Sequence, residues 1–267
     1  MARTRLTMVL AALLAGCASE PGGPSFDRTL DDELAQGKRL ATVLGCAGCH
    51  GPDLTGKDWS SEGFVTMRTG NLTQAAARYS KQELEAVIRT GRRPGGRELW
   101  DMPSHLFTRL AKADMVPLLA YLRSQPPKGA IPADPVFAAQ ARKEMASGLY
   151  KSSAREAIEL GEVQAPAAGT GHELARYIVR TTCAECHGVD LRGGIPLPGA
   201  PFRPDLRIVA AYDKADFMRL LTTGKAAGNR ELGLMSEVAR SRYSHFTQTE
   251  REAIHAYLKA LGEADVR

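Results

Sequence analysis

The residues with the most chemistry to offer sit in two short runs, Cys46-Ala47-Gly48-Cys49-His50 and Cys183-Ala184-Glu185-Cys186-His187. Each holds two thiols separated by two residues, with an imidazole directly after the second thiol. That spacing suits covalent attachment of c-type haem. Each thiol can form a thioether with one vinyl group of the same macrocycle, and the short spacer lets both reach one edge of it. The histidine then lies under the iron as proximal ligand. A redox cysteine pair or half of a zinc site also uses two cysteines at this spacing. Neither explains a histidine after both pairs. The expected cofactors are two covalently bound haem c groups, one on Cys46, Cys49 and His50, the other on Cys183, Cys186 and His187.

The two runs belong to a longer internal repeat. His50-Gly51-Pro52-Asp53-Leu54 matches His187-Gly188-Val189-Asp190-Leu191 at an offset of 137 residues, and Arg97-Glu98-Leu99 matches Arg230-Glu231-Leu232 at 133. Ala120-Tyr121-Leu122 matches Ala256-Tyr257-Leu258 at 136. Small changes of offset are loop insertions and deletions. At 133, Met102 falls on Met235. A haem iron with histidine on one side can take methionine on the other. A single methionine is more often core packing, but equivalence across two copies makes Met102 and Met235 the expected distal ligands. Arg97 and Arg230 are equivalent too, and are candidate donors to the haem propionates or simple loop caps.

Helical periodicity places the elements that would carry these residues. Leu30 to Leu44 runs into the first motif and Glu173 to Arg180 into the second. Ser80 is a candidate N-cap for a helix to Arg89 that Gly91 ends. Lys112 to Arg123 forms a further helix, with Pro117 arguing for a late start or a kink. Lys214 to Leu221 is another, and Thr247-x-x-Glu250 reads as a capping box for the last helix. Phe137 to Met145 could be helical, Gln164 to Thr170 extended. No period-2 pattern competes, so the fold class is all-α.

Length and composition agree with two small domains. Aromatics make up only 6% of the 267 residues, thin for protein-only cores, and two buried haems would supply apolar area. Four of the five cysteines lie in the two motifs, leaving no pair for a disulfide. The fifth, Cys17, follows a basic start (Arg3, Arg5) and an apolar run from Leu6 to Leu14, the pattern of a secretory signal. Leu14-Ala15-Gly16-Cys17 resembles the bacterial lipobox, which implies cleavage before Cys17 and lipidation there. Without Arg3 and Arg5 the chain has 33 basic and 30 acidic residues. That near-neutral balance excludes nucleic-acid binding driven by net charge. The expected organisation is a signal peptide at 1–16, a lipid-anchored tether at 17–28, a first domain at 29–125, a linker at 126–170 and a second domain at 171–267.

Each half resembles a class I cytochrome c domain, and the pair resembles dihaem c-type cytochromes of bacterial respiratory chains. The two attachment motifs, Met102-Pro103, and the AYLRS and AYLKA of the last helices carry the resemblance. It implies two tandem domains with helices wrapped around one haem each. It also implies that first and last helices cross at a small residue, Gly37 or a neighbour in one domain and Ala175 in the other, against Tyr121 and Tyr257. With histidine and methionine on each iron, the implied function is an electron relay rather than an enzyme. Its partners would be a redox donor and acceptor, either met in turn or within a dehydrogenase or oxidase complex. Its place would be the periplasmic side of a bacterial membrane. The competing reading is a dihaem enzyme, peroxidase-like or thiosulfate-oxidising, which needs one labile axial position.

Overall fold

The structure, a computed structural model, describes residues 23–195 and 201–265. The signal peptide expected at 1–16 and the lipidation site Cys17 lie outside the described residues. Among the described residues no helix is long and apolar enough to cross a membrane.

Helices dominate, and local sequence explains their ends. In the first domain these are α1 (Glu33–Val43), α2 (Cys46–His50), α3 (Leu72–Arg78), α4 (Lys81–Thr90), α5 (Ser104–Phe107) and α6 (Lys112–Ser124). Ser80 and Glu83 form a capping box at the start of α4, and Gly91 ends it in the left-handed conformation. Asn71 caps α3 through the Thr73 and Gln74 amides. Helix α6 does not start late; it runs as one α-helix from Lys112 with Pro117 inside it. The proline ring removes only one internal hydrogen bond there. Helices α1 and α6 pack closely at Gly37, where an added Cβ would stand 2.0 Å from the Pro117 carbonyl oxygen and 2.7 Å from Tyr121 Cβ.

Between the domains lie α7 (Ala139–Ser147) and α8 (Ser153–Leu160), followed by α9 (Glu173–Thr182), α10 (Ala184–His187), α11 (Lys214–Thr223), α12 (Leu234–Ser241) and α13 (Gln248–Asp265). Two small antiparallel ladders supplement them. In one, β1 (Val65–Thr66) pairs with β2 (Val136–Phe137); in the other, β3 (Lys225–Ala226) pairs with β4 (Arg230–Glu231). Ala175 of α9 and Tyr257 of α13 are both buried in the second domain, and these two helices pack together.

The segment 126–170 is not a free spacer. It binds the first domain through the Asn71 side chain, which donates to the Lys128 and Ala130 carbonyls at 2.7 and 3.1 Å. Its β2 completes a ladder with β1, and α8 packs on α4 and α5. It contains two helices rather than one. The stretch 164–170, expected to be extended, is anchored: Ala165 is fully buried and the Tyr257 hydroxyl donates to the Pro166 carbonyl at 2.7 Å.

The two domains share one apolar core. Phe26 is only 3% exposed, edge-on to Tyr177 and stacked on Phe246. The expected tether therefore ends as a wedge in the seam between domains. Beside it, Arg39 of α1 pairs with Glu250 of α13 at 3.0 Å, with side chains 9% and 0% exposed. Glu250 also accepts from the Asp27 and Thr247 amides and closes the capping box of α13 with Thr247. A buried ion pair adds little net stability, but losing one partner strands a charge. The pair thus fixes how the domains meet.

Asp114 lies in the same seam and accepts from the Tyr177 hydroxyl at 2.6 Å and the Phe26 amide at 3.2 Å. Burial pushes its carboxyl up to about 6, against the pull of those hydrogen bonds. A carboxyl that holds its proton more tightly when folded contributes stability fully below about pH 4, and loses it as pH rises through the native value. Urea unfolding of wild type and Asp114→Asn between pH 4 and 7 checks this. Wild type should lose about 2–3 kcal/mol relative to the variant as pH rises; a pH-independent difference would show an ordinary carboxyl.

Candidate haem-binding sites

Each attachment motif folds as one short helical turn closed by a glycine, Gly51 at φ +80 and Gly188 at φ +73. The loops that follow share one conformation. Leu54 and Leu191 both adopt φ +62, uncommon for a side chain with a Cβ. Both are buried, and each donates its amide to the glycine carbonyl three residues back at 3.0 Å. The His50 carbonyl accepts from Gly56, and the His187 carbonyl from Gly193, at 2.8 and 2.9 Å. The loop ends where the imidazole needs a partner. His50 Nδ1 donates to the Gly70 carbonyl at 2.6 Å, and His187 Nδ1 to the Pro204 carbonyl at 2.8 Å. A carbonyl only accepts, so the proton sits on Nδ1 and Nε2 keeps its lone pair, the form in which histidine binds a metal. Burial lowers the pKa of both imidazoles, which keeps them neutral.

In the first domain Cys46, Cys49, His50 and Met102 all line one cavity of about 420 Å³. Leu84, Ile88, Leu118 and Leu122 give it apolar walls, and Arg93 and Arg97 are the charged groups beside Asp134. Size, lining and donor set fit a haem. The thiols do not fit a redox pair. Burial pushes Cys46 up to about 12 and raises Cys49 as well, where a reactive cysteine needs the opposite shift. A zinc site needs further ligands, and among the described residues no three His, Cys, Asp or Glu side chains converge to hold a metal ion.

The loop bearing Met102 is held from the interdomain segment. The Met102 amide donates to Ser153 Oγ at 3.0 Å, and the Ser153 amide to the Leu99 carbonyl at 2.9 Å. Asp101, at φ +57, accepts from the Tyr150 hydroxyl at 3.0 Å and from Trp59 Nε1 at 3.2 Å. Trp100 packs between Phe137 and Tyr150. None of these partners stands out in the repeat, because the second copy has Leu234 and Gly233 where the first has Asp101 and Trp100.

The second domain builds the corresponding region from its own chain. Met235 sits in the first turn of α12, half-buried against the shared core. Next to it the Ser236 hydroxyl accepts from the Leu232 amide at 2.8 Å and donates to the Gly224 carbonyl at 2.5 Å. In the first domain the equivalent Leu99 amide reaches the Gly91 carbonyl directly at 2.8 Å. Helix α8 packs beside Gly91 as α12 packs beside Gly224. Residues 196–200, between His187 and Pro204 in the sequence, lie outside the described residues. The two candidate arginines differ as well. Arg97 pairs with Asp134 at the cavity, while Arg230 Nε caps the Ala227 carbonyl at 2.9 Å on an exposed turn.

Ser153→Ala would leave the Met102 amide without its acceptor, a loss of about 1–3 kcal/mol in the loop if the amide stays dry. With Met102 and Met235 as the expected distal ligands, the methionine–Fe(III) charge-transfer band of the oxidised protein should fall by up to half, since only the first site is loosened. An unchanged band would show that α8 does not hold the Met102 loop.

The family model described as cytochrome c matches residues 34–126 and again 173–262. Two curated relatives, each named "Alcohol dehydrogenase (quinone), cytochrome c subunit", come from Gluconacetobacter polyoxogenes and Komagataeibacter europaeus. Each is 27% identical to this chain in an alignment covering 97% of it and 62% of the relative. The chain thus spans less than two thirds of the length of these relatives. With two matched domains covering most of its length, the chain belongs to the cytochrome c family.

Proposed function

We propose that the chain is a dihaem electron relay, the electron-transfer subunit of a quinone-dependent dehydrogenase complex of the kind its relatives' names describe. The observation that carries this is the pairing of His50 with Met102 in one cavity, with His187 and Met235 as their repeat equivalents. A haem in each site supplies one-electron Fe(II)/Fe(III) cycling. His50 with Met102, and His187 with Met235, would hold the iron from the protein side and leave no place on it for substrate. Cys46 and Cys49, and Cys183 and Cys186, hold the groups covalently. Nδ1 bonds to backbone carbonyls orient the two imidazoles.

The surrounding residues divide the remaining work. The Arg97 guanidinium lines the first cavity, and we assign it to a haem propionate together with its neighbour Arg93. Arg230 would take the same role in the second domain only by leaving the Ala227 carbonyl. The seam of Phe26, Arg39 and Glu250 holds the two domains as one body, which suits electron entry at one haem and exit at the other. The export signal and Cys17 would place this body on the periplasmic side of a bacterial membrane by a lipid anchor. Such an anchor favours a resident subunit over a free shuttle.

A spectroscopic redox titration of the holoprotein tests the reading. Two one-electron steps are expected, with a methionine–Fe(III) band that accounts for both haems and no rapid reaction with peroxide. A high-spin haem or fast peroxide turnover would replace the relay with a dihaem enzyme. Co-purification of a dehydrogenase subunit after mild detergent extraction is the expected sign of a complex, and its absence would point to a shuttle.

A further inference from the structure

Arg242 follows α12 and belongs to the second domain, yet it reaches the first. Its Nε and one terminal nitrogen donate to the Val43 carbonyl at 3.3 and 3.2 Å. The other terminal nitrogen donates to Glu185 Oε2 at 2.7 Å, and the guanidinium lies 5.6 Å from the Tyr243 ring centroid. Val43 lies three residues before Cys46, while Glu185 is the second of the two spacer residues between Cys183 and Cys186. Glu185 also lines the cavity of the first domain. One ion pair therefore ties the second motif to the backbone just before the first, with side chains only 12% and 26% exposed.

The chain makes room for this pair. Gly45 directly precedes the first motif at φ +82, and an added Cβ would stand 2.5 Å from Arg242 Cζ. Its counterpart before the second motif is Thr182, whose hydroxyl bonds within its own helix. At the repeat offset of 136, Arg242 falls on Leu106, a core residue. Arg242, Glu185 and Gly45 thus depart together from the repeat, and they depart at the one place where the motifs meet.

We infer that the Arg242–Glu185 pair is a bridge that seats the two haem-attachment motifs against each other and sets the potentials of both sites together. A charge near a haem shifts its reduction potential, more strongly where water is excluded. The pair as a whole is close to neutral. Removing either charge exposes the other to both sites at once, with opposite sign. The bridge rests on the reading that both motifs carry haem. Resolution of two one-electron steps in the wild-type protein tests that reading by itself.

The test uses Arg242→Gln, Glu185→Gln and the double variant, each as full-length holoprotein. Arg242→Gln leaves the carboxylate and should lower both potentials. Glu185→Gln leaves the guanidinium and should raise both. The expected size is up to about tenfold in the oxidised-to-reduced ratio at fixed potential, about 59 mV for a one-electron step. The double variant should return both towards wild type. A merely structural role would move the single variants in the same direction, and a role confined to the second domain would shift one haem only. Either result overturns the bridge, as does no shift at all. If Arg242→Gln fails to fold, the opposite arm remains decisive: Glu185→Gln must raise both potentials.

Discussion

Each attachment motif is tied to its domain by a hydrogen bond from histidine Nδ1 to a distant backbone carbonyl, 2.6 Å to Gly70 and 2.8 Å to Pro204. The rest of each domain is arranged to make that bond. The motif itself is one turn of helix and could swing freely at its glycine. The loop after it must return the right carbonyl to the imidazole, and it does so through a leucine at positive φ in both copies. That strained residue persists because its side chain is buried and its amide and carbonyl are both bonded. The third helix of the first domain and the 206–211 turn of the second start from the far end of this loop, with Leu72 and Leu206 donating to the strained leucines. A single constraint on a ring nitrogen thus propagates into the placement of the core.

The two copies hold Met102 and Met235 differently. The second domain places Met235 on a helix of its own, with Ser236 bridging Leu232 and Gly224. The first has only the short α5 after Met102 and borrows α8 from the interdomain segment, with Ser153 as the shared contact. A loop that carries a weak ligand such as a thioether needs its backbone donors satisfied, and a borrowed serine does this as well as an inherited one. The consequence is mechanical. The interdomain segment is part of the first site, so the domains could not separate along it without disturbing Met102.

This also explains what the sequence could and could not convey. The motifs, the repeat and the helix caps are local signals, and Ser80, Gly91 and Thr247 stand where their chemistry predicts. Gly37 was legible through the family resemblance, and its lack of a Cβ is required by the Pro117 carbonyl. Pro117 did not delay the start of its helix, because tertiary packing outweighs one missing hydrogen bond. The segment 126–170 misled because its proline-rich composition suggests a spacer, while its function lies in single side chains, Tyr150 and Ser153, with no periodic signature. Phe26 was hidden for the same reason: one aromatic in a run of small residues and prolines has no pattern, and its burial depends on Tyr177 and Phe246 from elsewhere.

The seam would give the proposed relay its physical character. Two domains joined by a flexible linker would meet at varied distances and orientations, and transfer between their haems would depend on chance encounters. Here a buried ion pair at Arg39–Glu250, an aromatic wedge at Phe26 and a carboxyl at Asp114 all lock the same interface. The ion pair and the carboxyl are each costly to bury alone, since a stranded charge or an unpaired carboxyl in the core would destabilise the fold. Their co-location makes sense if a fixed orientation is itself the function. A hydrophobic seam of equal area would hold the domains together with less penalty but would tolerate sliding. Directional hydrogen bonds do not tolerate it, so the polar seam exchanges some stability for a defined distance between the two attachment motifs.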